Sequence, residues 1–302
     1  MSLRGKYEES HVVVKIIQWL GCIFLFSIPS MGSIFFFPQP LSVSSLKWVQ
    51  LIQMSAMFLL PPLCMAYLWS KYPLQWLQVE HYKLNRKKDW LWAVGIMLLA
   101  LPAINLLGSW NQQMTLPAFL EPLETWMKTK EETATQLTDQ FMNVTTWGGL
   151  VINLLLMAVL PALAEELTFR GVLYRLFSGK SVDDRVPHMA IWCTAILFSA
   201  IHMQFYGFVP RMLMGALFGY ALAWTGSLWT PIVMHFTNNA MAVLLYFVAV
   251  RAGWDIEAMD TIGTNDTLWL GVVSLLVTIV GIYAFRRSTT MSSASSRMSN
   301  GN

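Results

Sequence analysis

The stretch WGGLVINLLLMAVLPALAEELTFRGVLYRLF, residues 147–177, is apolar for most of its length, then carries two adjacent carboxylates, Glu165 and Glu166, and a guanidinium, Arg170. A run this long and this apolar predicts a helix that crosses a bilayer. About 20 residues span the hydrocarbon core, and a helix satisfies its own backbone groups where there is no water to do so. A charged side chain in such a helix is expensive unless it is paired, protonated or wetted. The three charged groups therefore call for partners or chemistry.

The rest of the chain has the same character. Of its 302 residues, 55% are hydrophobic and only 12% are charged, about half the charged share of a soluble domain. Apolar segments fall near 12–37, 47–70, 90–110, 147–177, 188–206, 209–225, 228–249 and 267–285. The sequence thus predicts an all-α, polytopic membrane bundle of about eight transmembrane helices. The first segment is too long for a signal peptide and is followed by no small-residue cleavage site, so it is expected to be retained. A net charge of +3 is too small to imply nucleic acid as a partner, and the lipid bilayer is the expected surroundings. Cys22, Cys64 and Cys193 lie inside apolar runs without metal-ligand spacing and read as small core residues.

Basic residues mark one side. They sit at the N-terminus (Arg4, Lys6, Lys15), after the second segment (Lys71, Lys83, Arg86, Lys87, Lys88), after the fourth (Arg175, Lys180, Arg185) and after the last (Arg286, Arg287). The third connection, about 111–146, is acidic, with Glu121, Glu124, Glu131, Glu132 and Asp139, and the seventh carries Asp255, Glu257, Asp260 and Asp266. The bias of Lys and Arg toward the inside puts both termini in the cytoplasm. The acidic third connection suits an interfacial helix or a solvated connector equally well. The chain then divides into 1–146 (three spans and the acidic loop), 147–249 (four spans with the polar groups), 250–285 (the last span) and a Ser-rich tail, 286–302, expected to be disordered.

On a helix Glu166 and Arg170 are four apart and share a face, so they can pair. Glu165 points about 100° away from Glu166 and is left for chemistry. Two other segments carry polar groups. FSAIHMQF places His202 one turn after Phe198, and PIVMHFTNNA places His235 and Asn239 four apart, with Asn238 beside them. His11, His81 and His188 stand at segment ends and are expected at the interfaces.

A carboxylate and an imidazole can hold and deprotonate a water, either as bases or as ligands of a divalent metal. A further His and an Asn can donate to the oxyanion of a tetrahedral intermediate. Ser199, three residues before His202, is a rival nucleophile but lies in no nucleophile motif. A non-catalytic transporter or peptide-binding scaffold is the rival function, and the chain lacks the internal repeat many transporters show. Counted from Trp147, Glu165 lies about 27 Å along its helix. The polar groups then meet only if the membrane-buried part begins later, near Leu154, with Pro161 bending the helix. Gly215 and Gly219 form a small-xxx-small pair that predicts close helix packing.

EELTFR, FSAIH and HFTNN occur in that order on successive apolar segments. Over roughly 147–245 the chain resembles the CPBP (Abi) family of intramembrane proteases, which includes the CAAX prenyl proteases of the Rce1 type. The resemblance implies an endopeptidase whose Glu165 and His202 activate water, whose His235 and Asn239 stabilise the oxyanion, and whose Glu166 and Arg170 form a supporting pair. It implies a membrane-associated peptide or protein as substrate, of CAAX type in the prenyl branch. It leaves two sites open, a metal-free one and one in which Glu165, His202 and His235 hold an ion such as Zn2+. The His-Glu-x-x-His helix that would point strongly to zinc is missing from the sequence. Short loops suit a bacterial cytoplasmic membrane.

Overall fold

The computed structural model describes residues 3–80, 87–179, 186–256, 259 and 261–299, with side chains described as far as residue 290. His81, Lys83, Arg86, Lys180, Arg185, Glu257 and Asp260 lie outside the described residues, as do residues 300–302. Among the described residues every regular element is helical. Helix α1 is Val12–Met31, α2 Val43–Trp69, α3 Lys87–Gln112, α4 Glu121–Met142 and α5 Trp147–Ser178. Then come α6 His188–Ala200, α7 Phe208–Thr225, α8 Trp229–Ala252 and α9 Leu268–Ser299. Helices α1 (with the 3-10 turn that follows it), α2, α3, α5, α8 and α9 make six that are long and apolar enough to cross a membrane. The chain is an all-helical integral membrane protein.

The segments at 188–206 and 209–225 form something shorter than two full crossings. Helix α6 has 13 residues and is about 20 Å long, against a hydrocarbon core of about 30 Å. It turns through 201–207 into α7, against which it packs closely.

The short hairpin also removes the depth problem. Glu165 lies about 20 Å from the Ser178 end of α5, and His202 lies about 20 Å from the His188 end of α6. Measured from these neighbouring ends the two groups are level, and a buried part beginning near Leu154 is not required for them to meet.

Proline accounts for two irregular turns. Ser55–Leu59 in α2 and Leu154–Val159 in α5 are π turns. Each is followed at once by a Leu-Pro step, Leu60-Pro61 and Leu160-Pro161. A proline has no N–H for the i−4 carbonyl, and a widened turn absorbs that loss. A third π turn, Leu167–Leu173, contains no proline and surrounds Arg170. Thr146 caps α5 by accepting a hydrogen bond from Gly149 N at 3.1 Å. Helices α7 and α8 both stop at a left-handed glycine, Gly226 (φ +64°) and Gly253 (φ +67°).

The acidic third connection is helical. Glu121 and Glu124 lie in the first turn of α4, where negative charge suits the helix dipole. Glu124 pairs with Lys128 at 2.9 Å and accepts from Leu116 N at 3.0 Å. These bonds, Lys128 first, hold its carboxyl below the ordinary carboxylate range. Their contribution is therefore present above the ordinary pKa and fades as the pH falls. Helix α9 continues past Arg286 and Arg287 to Ser299. No Gly or Pro interrupts 286–299, so a helix already nucleated in the span has nothing to stop it.

At Gly219 an added Cβ would sit 2.9 Å from Ile191 Cγ2 of α6, and at Gly215 it would sit 3.1 Å from Phe198 Cδ1. The small-xxx-small pair is thus the seam between α7 and α6. Gly219→Val is expected to lower stability by roughly 1–3 kcal/mol through overpacking, read as a lower melting temperature in detergent.

Candidate active site

The α-helical stretch Leu160–Glu166 of α5 and the π turn Leu167–Leu173 after it present their polar side chains to different neighbours. Glu166 and Arg170 turn inward and are fully buried, and Glu165 is nearly so. Arg170 Nη1 donates to Glu166 Oε1 at 2.9 Å, the pairing expected from their four-residue spacing. Arg170 Nη2 donates to the Gly215 carbonyl at 2.7 Å, and Phe198 and Phe218 lie under the guanidinium at 4.7 and 5.4 Å. The arginine so joins α5 to the α6–α7 seam. Glu166 Oε1 also accepts from His235 Nδ1 at 2.9 Å, a second bond that the sequence did not suggest. Glu166 Oε2 and Arg170 Nε have no hydrogen-bond partner among the described residues.

Both histidines have a fixed donor side. His202 Nδ1 lies 2.7 Å from the Phe198 carbonyl, which can only accept, so Nδ1 carries the proton. His235 Nδ1 donates to the Glu166 carboxylate. In the neutral imidazoles both Nε2 atoms are therefore acceptors. They lie 3.8 Å (His202) and 4.0 Å (His235) from Glu165 Oε2, an oxygen that is buried without a hydrogen-bond partner.

Three acceptors thus converge with no donor between them. The separations of Glu165 from the two imidazoles exceed the roughly 3.2 Å limit of a direct hydrogen bond, and each is short enough for a water to bridge the carboxylate and the imidazole. Aromatic rings fix the imidazoles in place. Phe198 meets His202 and His235 edge-on, with ring centroids 5.1 and 5.7 Å away, and Phe218 stacks on His235 at 5.4 Å.

The chemistry of this donor set suits a cation, and its separations of 3.8 and 4.0 Å are wider than those of a filled zinc site. A tetrahedral zinc site with bonds of about 2.0–2.1 Å holds its donors about 3.4 Å apart. Among the described residues no group of three or more His, Cys, Asp or Glu side chains is gathered closely enough to hold a metal ion.

Asn239 lies on α8 one turn beyond His235, and its side-chain oxygen accepts from Asn238 Nδ2 at 3.2 Å. Its own NH2 group is thus left to donate. Ser199 is buried and donates to the Phe208 carbonyl at 2.7 Å. That bond clamps the hairpin turn. Of the terminal histidines, His11 caps α1 through Val13 N at 3.3 Å, and His188 bonds the Tyr220 hydroxyl at 2.8 Å.

Glu165, His202, His235, Asn238 and Asn239 all line one cavity of about 360 Å3. Helix α4 covers the hairpin tip beside it. Trp126 packs on Phe205 at 5.5 Å, and Glu131 accepts from Tyr206 N at 3.2 Å. The cavity also holds Gln50, Gln204 and Arg211, which sequence reasoning passed over. Arg211 carried a readable signal: it is the one charged residue in the apolar segment 209–225, as unexpected there as Arg170 is in its own.

Residues 147–241, from the start of α5 to the middle of α8, match the family model for type II CAAX prenyl endopeptidases, Rce1-like. The uncharacterized protein YpbD of Bacillus subtilis (strain 168) is 29% identical over 104 residues, which cover 33% of this chain and 49% of that protein. The chain therefore matches about half the length of this curated relative. No solved structure matches it.

Proposed function

We propose that this chain, whose residues 147–241 match the family model for Rce1-like type II CAAX prenyl endopeptidases, is an intramembrane endopeptidase that hydrolyses a membrane-associated peptide with a water held by Glu165. One observation carries the reading: a buried carboxylate oxygen with no partner faces the acceptor nitrogens of two imidazoles at 3.8 and 4.0 Å. Glu166, which holds the fold together, accepts from both Arg170 and His235 through Oε1, whereas among the described residues no direct hydrogen bond reaches that Glu165 oxygen.

The chemistry follows from the donor directions. A water between the three acceptors donates one proton toward Glu165 Oε2 and the other toward an imidazole Nε2. Glu165 removes the first proton as the oxygen attacks the peptide carbonyl. The oxyanion forms beside the Asn239 NH2 group, which can donate to it. In its neutral form His235 cannot help there, because its proton is on Nδ1 and held by Glu166. As an imidazolium it can donate from Nε2, and the Glu166 carboxylate stabilises that charge in the way a buried aspartate supports a catalytic histidine. The proton on Glu165 then passes to the leaving amine.

The substrate is proposed to be a membrane-associated peptide or protein, and a CAAX-type substrate falls within the class. Under the bias of basic residues toward the cytoplasm, the basic ends of α5 and α6 face inward and α4 covers the opposite end. Purified protein in liposomes is expected to cleave a hydrophobic peptide, and dialysis against a chelator is expected to leave the rate unchanged. Loss of activity on chelation with recovery on adding Zn2+ would contradict the metal-free reading and make Glu165, His202 and His235 ligands instead.

A further inference from the structure

Arg211 takes no part in the steps above, yet it stands in the first turn of α7 and lines the same cavity. Its terminal nitrogens both donate to one neutral residue: Nη1 to the Gln204 carbonyl and Nη2 to the Gln204 side-chain oxygen, each at 3.1 Å. Gly207 gives the group its room, since a Cβ there would sit 3.0 Å from Nη2. The carboxylates whose charge reaches Arg211 are Glu131 on α4 and Glu165 across the cavity. Neither comes within the 4.0 Å of an ion pair, and among the described residues Arg211 has no other hydrogen bond or ion pair.

The contrast with Arg170 is instructive. Arg170 has a carboxylate at 2.9 Å and aromatic rings around it. Arg170 is neutralised within the fold, whereas Arg211 is held by a neutral amide and turned to a cavity. A guanidinium in low-dielectric surroundings presents a rigid fork suited to a carboxylate, and an anion placed there meets little competition from water.

We propose that Arg211, oriented by Gln204, binds a carboxylate of the substrate peptide and thereby sets the bond that is cut relative to that carboxylate. The proposal rests on the peptidase reading and deepens it. The carboxylate is either the free C-terminus or an acidic side chain. A cavity of about 360 Å3 that also contains Glu165 and His202 puts it within a few residues of the scissile bond. Met54, Met142, Met157 and Met214 line the same space, so the residues flanking that carboxylate are expected to be apolar and varied in shape.

The test measures binding, so that it does not depend on turnover. The full chain carrying Glu165→Gln is titrated in detergent with the peptide Ac-Ala-Leu-Ile-Val-Met as the free acid, with its C-terminal carboxamide, and with the carboxamide Ac-Ala-Leu-Ile-Glu-Met-NH2. The free acid is expected to bind about tenfold or more tightly than its carboxamide. Adding Arg211→Gln should erase that preference while leaving the affinity for the carboxamide unchanged. Tight binding of the glutamyl peptide instead assigns the site to an acidic side chain. Arg211→Lys, which keeps the charge and loses the fork, should retain part of the preference, and melting temperatures control for folding.

Equal affinity for acid and amide, or a preference that survives Arg211→Gln, overturns the proposal. So does an Arg211→Gln protein that, with Glu165 intact, loses kcat equally on all peptides at unchanged Kd, since the guanidinium would then act on the oxyanion. If the unaltered chain cleaves no peptide while the acid preference holds and needs Arg211, the peptidase reading fails and carboxylate binding stands.

Discussion

Glu165→Gln is expected to lower peptide hydrolysis by about a thousandfold, the share commonly supplied by a positioned general base, with no loss of the fold. Glutamine keeps the shape of the side chain and removes only the ability to take a proton. The oxygen concerned has no hydrogen-bond partner to lose, and its charge is buried without a close cation, so the variant should melt at or above the temperature of the parent protein. Activity in liposomes and melting in detergent read the two halves separately. A Glu165→Gln protein with undiminished activity removes the base from the mechanism.

Breaking the buried pair is expected to act in the opposite way, on stability first. Arg170→Ala leaves Glu166 charged in a site with no exposure to water, and losing one member of such a pair costs about 3–5 kcal/mol. The protein should accumulate poorly and melt far below the parent. Replacing both members, Glu166→Gln with Arg170→Met, removes the unpaired charge, and a well-packed neutral pair is often as stable as the ionic one. That double variant should recover most of the melting temperature and little of the activity. The reason is the 2.9 Å bond from His235 to Glu166: without the carboxylate the imidazole loses the group that orients it and supports its protonated form. Full recovery of activity along with stability would make Glu166 a structural counter-ion and nothing more.

The spans and the acid–arginine pair could be read from sequence because both follow from local spacing. Twenty apolar residues make a crossing wherever they occur, and two charges four apart share a helix face whatever surrounds them. The convergence of Glu165 with His202 and His235 was open to inference only as a matter of kind, three polar groups on three apolar segments. Their distances depend on how far the α6–α7 hairpin reaches, and that depends on where α6 ends. An apolar run that continues through His202 to Phe208 does not mark the turn at Ile201.

The bond from His235 to Glu166 joins residues 69 apart in the chain, and no spacing rule reaches that far. It changes the role of His235 from a ready oxyanion donor to a group that donates only once protonated. Arg211 was overlooked for a different reason. Its segment was read for its glycines, and the Gln204 that holds it lies in the turn rather than on a helix.

The most direct measurement is an experimental density map of the cavity at a resolution that shows ordered water. The account predicts a single peak at about 2.7–3.0 Å from Glu165 Oε2 and from the Nε2 atom of one of the two histidines, His202 or His235, with both Nδ1 atoms still on Phe198 and Glu166. A peak at about 2.0–2.2 Å from the same three atoms is a metal and not a water. An acid that sits apart from both imidazoles, with nothing bridging them, would contradict the hydrolytic site altogether.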